Sequence, residues 1–149
     1  KWYNKAPYYY FGTKEEILRR LSSKENELLR EQQLKYPAII VEMPFKESNF
    51  TDNPTAELSV IFCNNTNVNW TYSERYDNNI KPIIYPLLDS FMRAVKQSDN
   101  VQAYEFTDKM DAPFYGDGKV IANDYLDLVL IKTKITFFNN NCKKQKICT

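Results

Sequence analysis

The segment spanning residues 73–97 carries the most regular pattern in the chain. Its apolar residues recur at helical spacing and fall on one side of a helix: Ile83, Ile84, Leu87, Leu88, Phe91, Met92 and Val95. Asp89, Arg93 and Lys96 fall on the opposite side. This separation predicts an amphipathic helix that packs its apolar side on a core.

Two prolines lie near the start of this helix. Pro82 suits a first helical turn, where the missing N–H loses no partner, whereas Pro86 lies at the edge of what that turn tolerates. We therefore expect a kink or break at these prolines. Residues 74–80 are predicted to form a separate lead-in, helical or turn-like, with Ser73 as its cap.

A second amphipathic helix is predicted to begin at Thr13. Glu16 follows three residues later and completes the capping sequence T-x-x-E. The apolar side of this helix is formed by Ile17, Leu18 and Leu21. The charged stretch 24–33 is either another helix or an insertion.

Four segments have the composition and length of strands. They are residues 37–43, 56–63, 101–106 and 126–137, separated by polar loops at 46–55 and 64–72 and a turn at 110–118. In the last strand the apolar alternation changes phase between Leu130 and Ile131, which predicts a bulge or sharp twist there.

The order of these elements predicts an α+β fold. We expect a mixed or antiparallel sheet of four to five strands with the two amphipathic helices packed on it. The length of 149 residues suits one domain, 1–149. Residues 1–11 are expected to form an aromatic N-terminal arm and residues 139–149 a flexible C-terminal tail.

The composition argues against several classes of function. Lys plus Arg number 20 and Asp plus Glu 19, so no overall field favours nucleic acid or an anionic membrane. The apolar runs are too short to span a membrane. Histidine is absent, glycine occurs only three times, and no phosphate-binding loop is present. The sequence therefore predicts no catalytic, cofactor-binding or metal-binding residues and no sequence-specific nucleic-acid partner.

The cysteines and asparagines are compatible with either an intracellular or an extracellular location. Cys63, Cys142 and Cys148 suit free thiols in a reducing compartment, while a bridge between the last two is compatible with an extracellular protein. Asn49, Asn64 and Asn69 each begin a triplet that matches the N-glycosylation acceptor, although chance produces such triplets in an asparagine-rich chain.

The candidate functional residues are surface contacts. The aromatic start either packs on the domain's own core or docks on a neighbour, and three residues beside the long helix are further contact candidates. Together the candidates are Trp2, Tyr3, Tyr8, Tyr9, Tyr10, Phe11, Arg75, Tyr76 and Lys81.

Three stretches carry a resemblance to a known group of proteins: KYPAIIVEM, ELSVIFCNNTNVNWTYSERYDNNIKPIIYPLLDSF and NDYLDLVLIKTKITF, of which ERY followed by KPIIYP is the most specific part. Across residues 12–142 the chain resembles tail-terminator and neck proteins of tailed phages and prophages of Bacteroidetes. The resemblance implies a small α/β subunit without enzymatic activity. Such a subunit closes into a hexameric or dodecameric ring and contacts portal, connector or tail proteins in a virion assembled in the bacterial cytoplasm.

A second class of function stays open at this point. The aromatic richness, the three acceptor triplets and the start without methionine also suit a secreted or surface-exposed binding domain with no enzymatic activity. Rings would favour the virion protein, and a glycosylated, disulfide-linked monomer would favour the binding domain.

Overall fold

A computed structural model describes residues 7–13, 15–17, 36–115 and 125–138, without the side chains of residues 112–115. The strands are β1 (Tyr8–Thr13), β2 (Ala38–Met43), β3 (Lys46–Ser48), β4 (Thr55–Asn65), β5 (Val101–Tyr115) and β6 (Leu126–Phe137). The helical elements are α1 (Tyr72–Arg75), a π-helical segment (Tyr76–Ile84) and α2 (Tyr85–Gln97). The expected α+β class is confirmed in its broad form, but the described residues contain six strands instead of four or five.

The six strands form one open and mostly antiparallel sheet. Their order is β1-β2-β4-β6-β5, and β3 pairs with the same edge of β4 as β2 does. Among the strands of the described residues, only β1 and β2 run parallel. The strand β2 is rich in β-branched residues, and residues 38–40 of β2 and 60–63 of β4 are buried on both faces of the sheet.

The long helical stretch covers one face of the sheet. Thr71 is its N-cap: the backbone N–H of Glu74 donates to Thr71 Oγ1 at 3.3 Å, and the Thr71 N–H donates to Glu74 Oε2 at 2.7 Å. The prediction of Ser73 as the cap is therefore wrong. The expected break is also absent, because helical backbone continues from α1 through the π-helical segment into α2. Pro82 lies inside the π-helical segment, and Pro86 lies in the first turn of α2.

Two apolar clusters lie on opposite faces of the sheet. The helix-side cluster joins the predicted stripe of the long helix to the sheet: Ile39, Val60, Phe62, Ile80, Ile84, Leu87, Leu88, Val129 and Ile131. The far-side cluster joins residues of the sheet to Ile17 and Tyr36: Tyr10, Ile17, Tyr36, Ala38, Ile40, Ile61, Cys63, Leu126 and Leu128. Both faces of the sheet are therefore buried at its centre.

The strand β6 does not change phase at Leu130. Its pairing with β4 continues without a shift from Asn65 opposite Leu126 to Thr55 opposite Thr136. Both faces of β6 are buried in its first half, whereas in its second half only the helix side is buried, with Lys132 and Lys134 exposed. The predicted bulge is therefore wrong, and the apparent change of phase marks where the far-side cluster ends.

The irregular strand is β5, at one edge of the sheet. Its register against β6 shifts three times, between Val101 and Ala103, between Phe106 and Asp108, and between Ala112 and Tyr115. The strand also continues through most of the predicted turn at 110–118. Pro113 is compatible with this position because an edge strand leaves alternate N–H groups unpaired.

Of the helix predicted to begin at Thr13, the structure describes residues 15–17, which are helical. The Glu16 N–H donates to Thr13 Oγ1, and the Thr13 N–H donates to Glu16 Oε2, both at 3.3 Å, so the predicted capping box is confirmed. Gly12 precedes it with a φ of +154°, and a Cβ at this position would collide with the Glu16 carboxylate. Residues 24–33, 1–6 and 139–149, which include the expected tail, lie outside the described residues.

Candidate functional site

Strand β1 forms one edge of the sheet and sorts its aromatic side chains to two faces. Tyr10 is buried in the far-side cluster, and Tyr8 packs against that cluster. Tyr9 and Phe11 point to the helix side, opposite Ile39 and Val41 of β2, but remain 69% and 55% exposed. The predicted aromatic arm is, from Tyr8 onward, a strand of the domain's own sheet.

The backbone of β1 also has two sides. The Tyr8 N–H donates to the Pro37 carbonyl oxygen at 2.9 Å, and Tyr8 lies opposite Ala38 in a parallel register. In a parallel pair alternate residues direct both backbone groups to the neighbouring strand. Tyr8, Tyr10 and Gly12 therefore bond to β2, while Tyr9 and Phe11 direct their N–H and C=O groups away from it.

Phe45 extends this exposed surface. It follows β2 and lies with its ring centroid 6.4 Å from that of Phe11, tilted by 53°. We call Tyr9, Phe11 and Phe45 the β1 edge surface. It combines two strongly exposed aromatic side chains with backbone groups that no described strand pairs, which are the properties of a contact surface for another protein.

The opposite edge of the sheet exposes a second apolar surface. Tyr104 is 44% exposed on the helix side, opposite Ile135, whereas Met110 is 48% exposed on the far side, opposite Leu130. We call Tyr104 and its neighbour Phe106, which share the helix side, the β5 edge surface. Tyr104 packs on the neighbouring Phe106 with ring centroids 5.6 Å apart. Charged residues and three register shifts accompany this edge, unlike β1.

A groove separates α2 from β5 beside the β5 edge surface. Its volume is about 370 Å³, and its walls include Leu88, Met92, Phe106 and Ile131. Lys109 Nζ lies 4.3 Å from the centre of the Tyr85 ring and 3.6 Å from Asp111 Oδ1. Burial, and next the charge of Asp111, raise the pKa of Tyr85, while Lys109 acts in the opposite direction. The groove therefore has apolar walls beside the charged Lys109.

The remaining contact candidates divide into surface and packing residues. Lys81 is exposed. Arg75 is half-buried, and its guanidinium donates to the carbonyl oxygen of Val68 at 3.4 Å. Tyr76 is half-buried against the helix-side cluster, with its ring edge-on to Tyr85 at 6.0 Å. Tyr76 therefore packs within the domain. Trp2 and Tyr3 lie outside the described residues.

A buried polar network was missed by the sequence analysis. The Asn79 side chain donates to Asp127 Oδ2 at 2.9 Å and to the Asn65 carbonyl oxygen at 3.2 Å, and its own oxygen accepts from Asn64 at 2.7 Å. Asn79 and Asp127 are buried. The network fixes the π-helical segment to the ends of β4 and β6. A signal existed in the sequence, because Asp127 interrupts an apolar strand.

Two of the three glycosylation triplets begin at accessible asparagines. Asn49 and Asn69 are exposed, Asn49 with a φ of 54°. Asn64 is half-buried and bonded to Asn79. Cys63 is buried and makes no disulfide, whereas Cys142 and Cys148 lie outside the described residues.

Within the part of the chain that the structure describes, no group of three or more His, Cys, Asp or Glu side chains is arranged to hold a metal ion. No helix in that part is both long and apolar enough to cross a membrane. In comparisons with known proteins, no family model and no curated protein matches this chain.

Proposed function

We propose that this protein is a structural virion subunit that forms a ring at the neck or tail of a bacteriophage, as a tail terminator or head-to-tail joining protein. The observation that carries the proposal is the pair of exposed apolar surfaces on opposite edges of the sheet, at β1 and at β5. A subunit with one contact surface stops at a dimer, whereas two separate surfaces allow assembly to continue until a ring closes.

The chemistry of the described surface agrees with this role. The β1 edge surface offers aromatic rings, which are over-represented in the centres of protein interfaces. The resemblance of ERY and KPIIYP to phage neck and tail proteins is the reason for proposing that the ring assembles at the neck or tail. The partners are then further copies in a hexamer or dodecamer and phage portal, connector or tail proteins.

The test is the assembly state of the purified full chain. We expect native mass spectrometry and negative-stain electron microscopy to show rings of the 17.6 kDa subunit in a concentration series. The variants Phe11→Ser and Tyr104→Ser should each reduce the association constant about tenfold, which corresponds to about 1.4 kcal/mol per contact.

Phe50→Ser is the matched control. Phe50 is 74% exposed but lies in the turn after β3, on neither edge surface, so this variant should assemble like the unmodified chain. A chain that stays monomeric at every concentration would refute the proposal. Equal loss of assembly in all three variants would show that the two edges are not the contacts.

The exposed Asn49 and Asn69 favour one alternative, a secreted or surface-exposed binding domain. Expression in a secretory host separates the two proposals. Glycans on both asparagines in a monomer would support the binding domain, whereas unglycosylated rings from bacterial cytoplasm would support the virion subunit.

A further inference from the structure

The two edges of the sheet differ in how they are protected. Natural edge strands avoid unwanted pairing through charges, prolines and bulges. The strand β5 has three register shifts and carries charged side chains along its length. The strand β1 reads Tyr-Tyr-Tyr-Phe-Gly-Thr, and all six residues pair with β2 in one unbroken register. Of the two edges, only β1 is suited to accept another strand.

The outward groups of β1 match a second copy of β1. In an antiparallel pair with a twofold axis at Tyr10, Tyr9 of one copy lies opposite Phe11 of the other. Both residues direct their N–H and C=O groups outward, so each such pair exchanges two hydrogen bonds. The twofold axis generates a second pair of the same kind, with Phe11 of the first copy opposite Tyr9 of the other.

The side chains fit the same register. Tyr9 and Phe11 lie on the same face of β1, and residues directly opposite in an antiparallel pair have Cβ atoms about 4.5–5.5 Å apart. Each exposed Tyr9 ring would therefore contact the exposed Phe11 ring of the other copy. Aromatic pairs of this kind stabilise sheets.

Symmetry selects the antiparallel direction. A twofold axis perpendicular to the sheet relates two copies of the same edge strand in an antiparallel arrangement, and it keeps Tyr9 and Phe11 of both copies on one face of the continued sheet.

We propose that β1 pairs antiparallel with β1 of a second copy, with Tyr9 opposite Phe11, so that one sheet continues across both subunits. This inference deepens the proposed function and rests on it for the place of the contact in a ring. A twofold contact joins only two subunits, so the β5 side must supply the second contact, and the ring then contains an even number of subunits.

The contact is small when it acts alone. The exposed parts of the two rings in both copies amount to roughly 500 Å², given that an aromatic side chain buries about 150–250 Å². Specific interfaces bury about 1,200–2,000 Å² in total. The pair of strands should therefore be detected by cross-linking, and it should become stable when the second contact closes the ring.

Disulfide cross-linking tests the register. Two differently tagged full-length chains are prepared, one with Tyr9→Cys and one with Phe11→Cys, both with Cys142→Ser and Cys148→Ser. Opposite residues in a hydrogen-bonded antiparallel pair have Cα atoms about 5.5 Å apart, which suits a disulfide. Both substitutions replace exposed side chains, and circular dichroism confirms that the variants fold.

We expect mild oxidation to link the Tyr9→Cys chain to the Phe11→Cys chain at least about tenfold more than either chain to itself, since only the mixed pair lies opposite. Phe50→Cys in the same background measures random collision. Self-linked chains in excess would overturn the antiparallel register, and linking no stronger than that of Phe50→Cys would overturn the pairing itself.

The assembly state separates this inference from the proposed function. Rings without the mixed cross-link would refute the strand pairing and leave the ring subunit standing. Mixed cross-links in a chain that never exceeds a dimer would support the strand pairing and refute the ring.

Discussion

The most informative perturbation is Asn79→Ala, in the centre of the buried polar network. The Asn79 side chain makes three hydrogen bonds, and it is 1% exposed while Asp127 is 0% exposed. Alanine fits a helical segment, so the substitution removes the hydrogen bonds with little backbone cost. The Asp127 carboxylate then loses one donor in a place that water does not reach.

The magnitude follows from the kinds of bonds removed. A hydrogen bond to a charged group contributes about 1.5–3 kcal/mol, and a neutral one about 0.5–1.5 kcal/mol. Because the Asn64 side chain is only half-buried, water can replace part of its lost bond. We expect Asn79→Ala to reduce the free energy of unfolding by about 3–4 kcal/mol. Asp127→Asn keeps the shape and an accepting oxygen, so we expect a cost of about 1 kcal/mol.

Urea unfolding followed by circular dichroism measures both values. Asn78→Ala is the matched control, because Asn78 is the exposed neighbour in the same π-helical segment and should change the stability by less than about 0.5 kcal/mol. If Asn79→Ala costs no more than Asn78→Ala, the network does not hold the helix to the sheet and our account of it is refuted.

Two further predictions concern the helix-side cluster and the groove. Phe91 is half-buried and lies edge-on to Phe62 at 5.3 Å, so Phe91→Ala should cost about 2–3 kcal/mol in the same assay, less than a fully buried ring; a cost below about 1 kcal/mol would contradict this packing. Asp111→Asn should lower the pKa of Tyr85, measured by an NMR titration of the ring, because the charge of Asp111 raises it; Asp52→Asn, in the distant turn after β3, should leave it unchanged. Because the folded-state pKa of Tyr85 lies above its ordinary value of 10.0, its contribution to stability is present below pH 10 and is lost as the pH rises through the folded-state pKa.

The long helix was predictable because its physical signal is local. The apolar stripe has the helical period, and the structure buries it against β2, β4 and β6. The true start was also readable, since Thr71 and Glu74 form the same T-x-x-E sequence that identified the cap at Thr13. The burial of the π-helical segment could not be predicted from its own sequence, because asparagine usually lies at the surface and Asn79 is buried only through its tertiary hydrogen bonds.

The strand predictions were wrong where tertiary contacts decide which residues are buried. Burial of a strand depends on what covers each face, so β6 shows two patterns along one regular strand. The strand β5 was predicted too short because proline and glycine near residue 113 indicated a turn, whereas an edge position tolerates proline. The sequence of a single strand predicts neither which elements cover its two faces nor whether it lies at an edge of the sheet.

The aromatic residues of β1 differ in burial according to the face of the sheet on which each one lies. The expectation of a free arm implied that removal of residues 1–10 would leave the fold intact. Tyr10 is 4% exposed in the far-side cluster, and β1 pairs with β2 along its length, so this deletion should instead destabilise the domain by about 3–5 kcal/mol. Tyr9→Ser is the control within the same strand, because Tyr9 is 69% exposed, and it should change the unfolding free energy by less than about 1 kcal/mol. Urea unfolding of the truncated chain and of this variant measures the difference, and equal stability of both would mean that β1 contributes nothing to the core. Among the described aromatic residues of β1, the proposed docking role is left to Tyr9 and Phe11, which share the strand with Tyr10 but face the opposite side of the sheet.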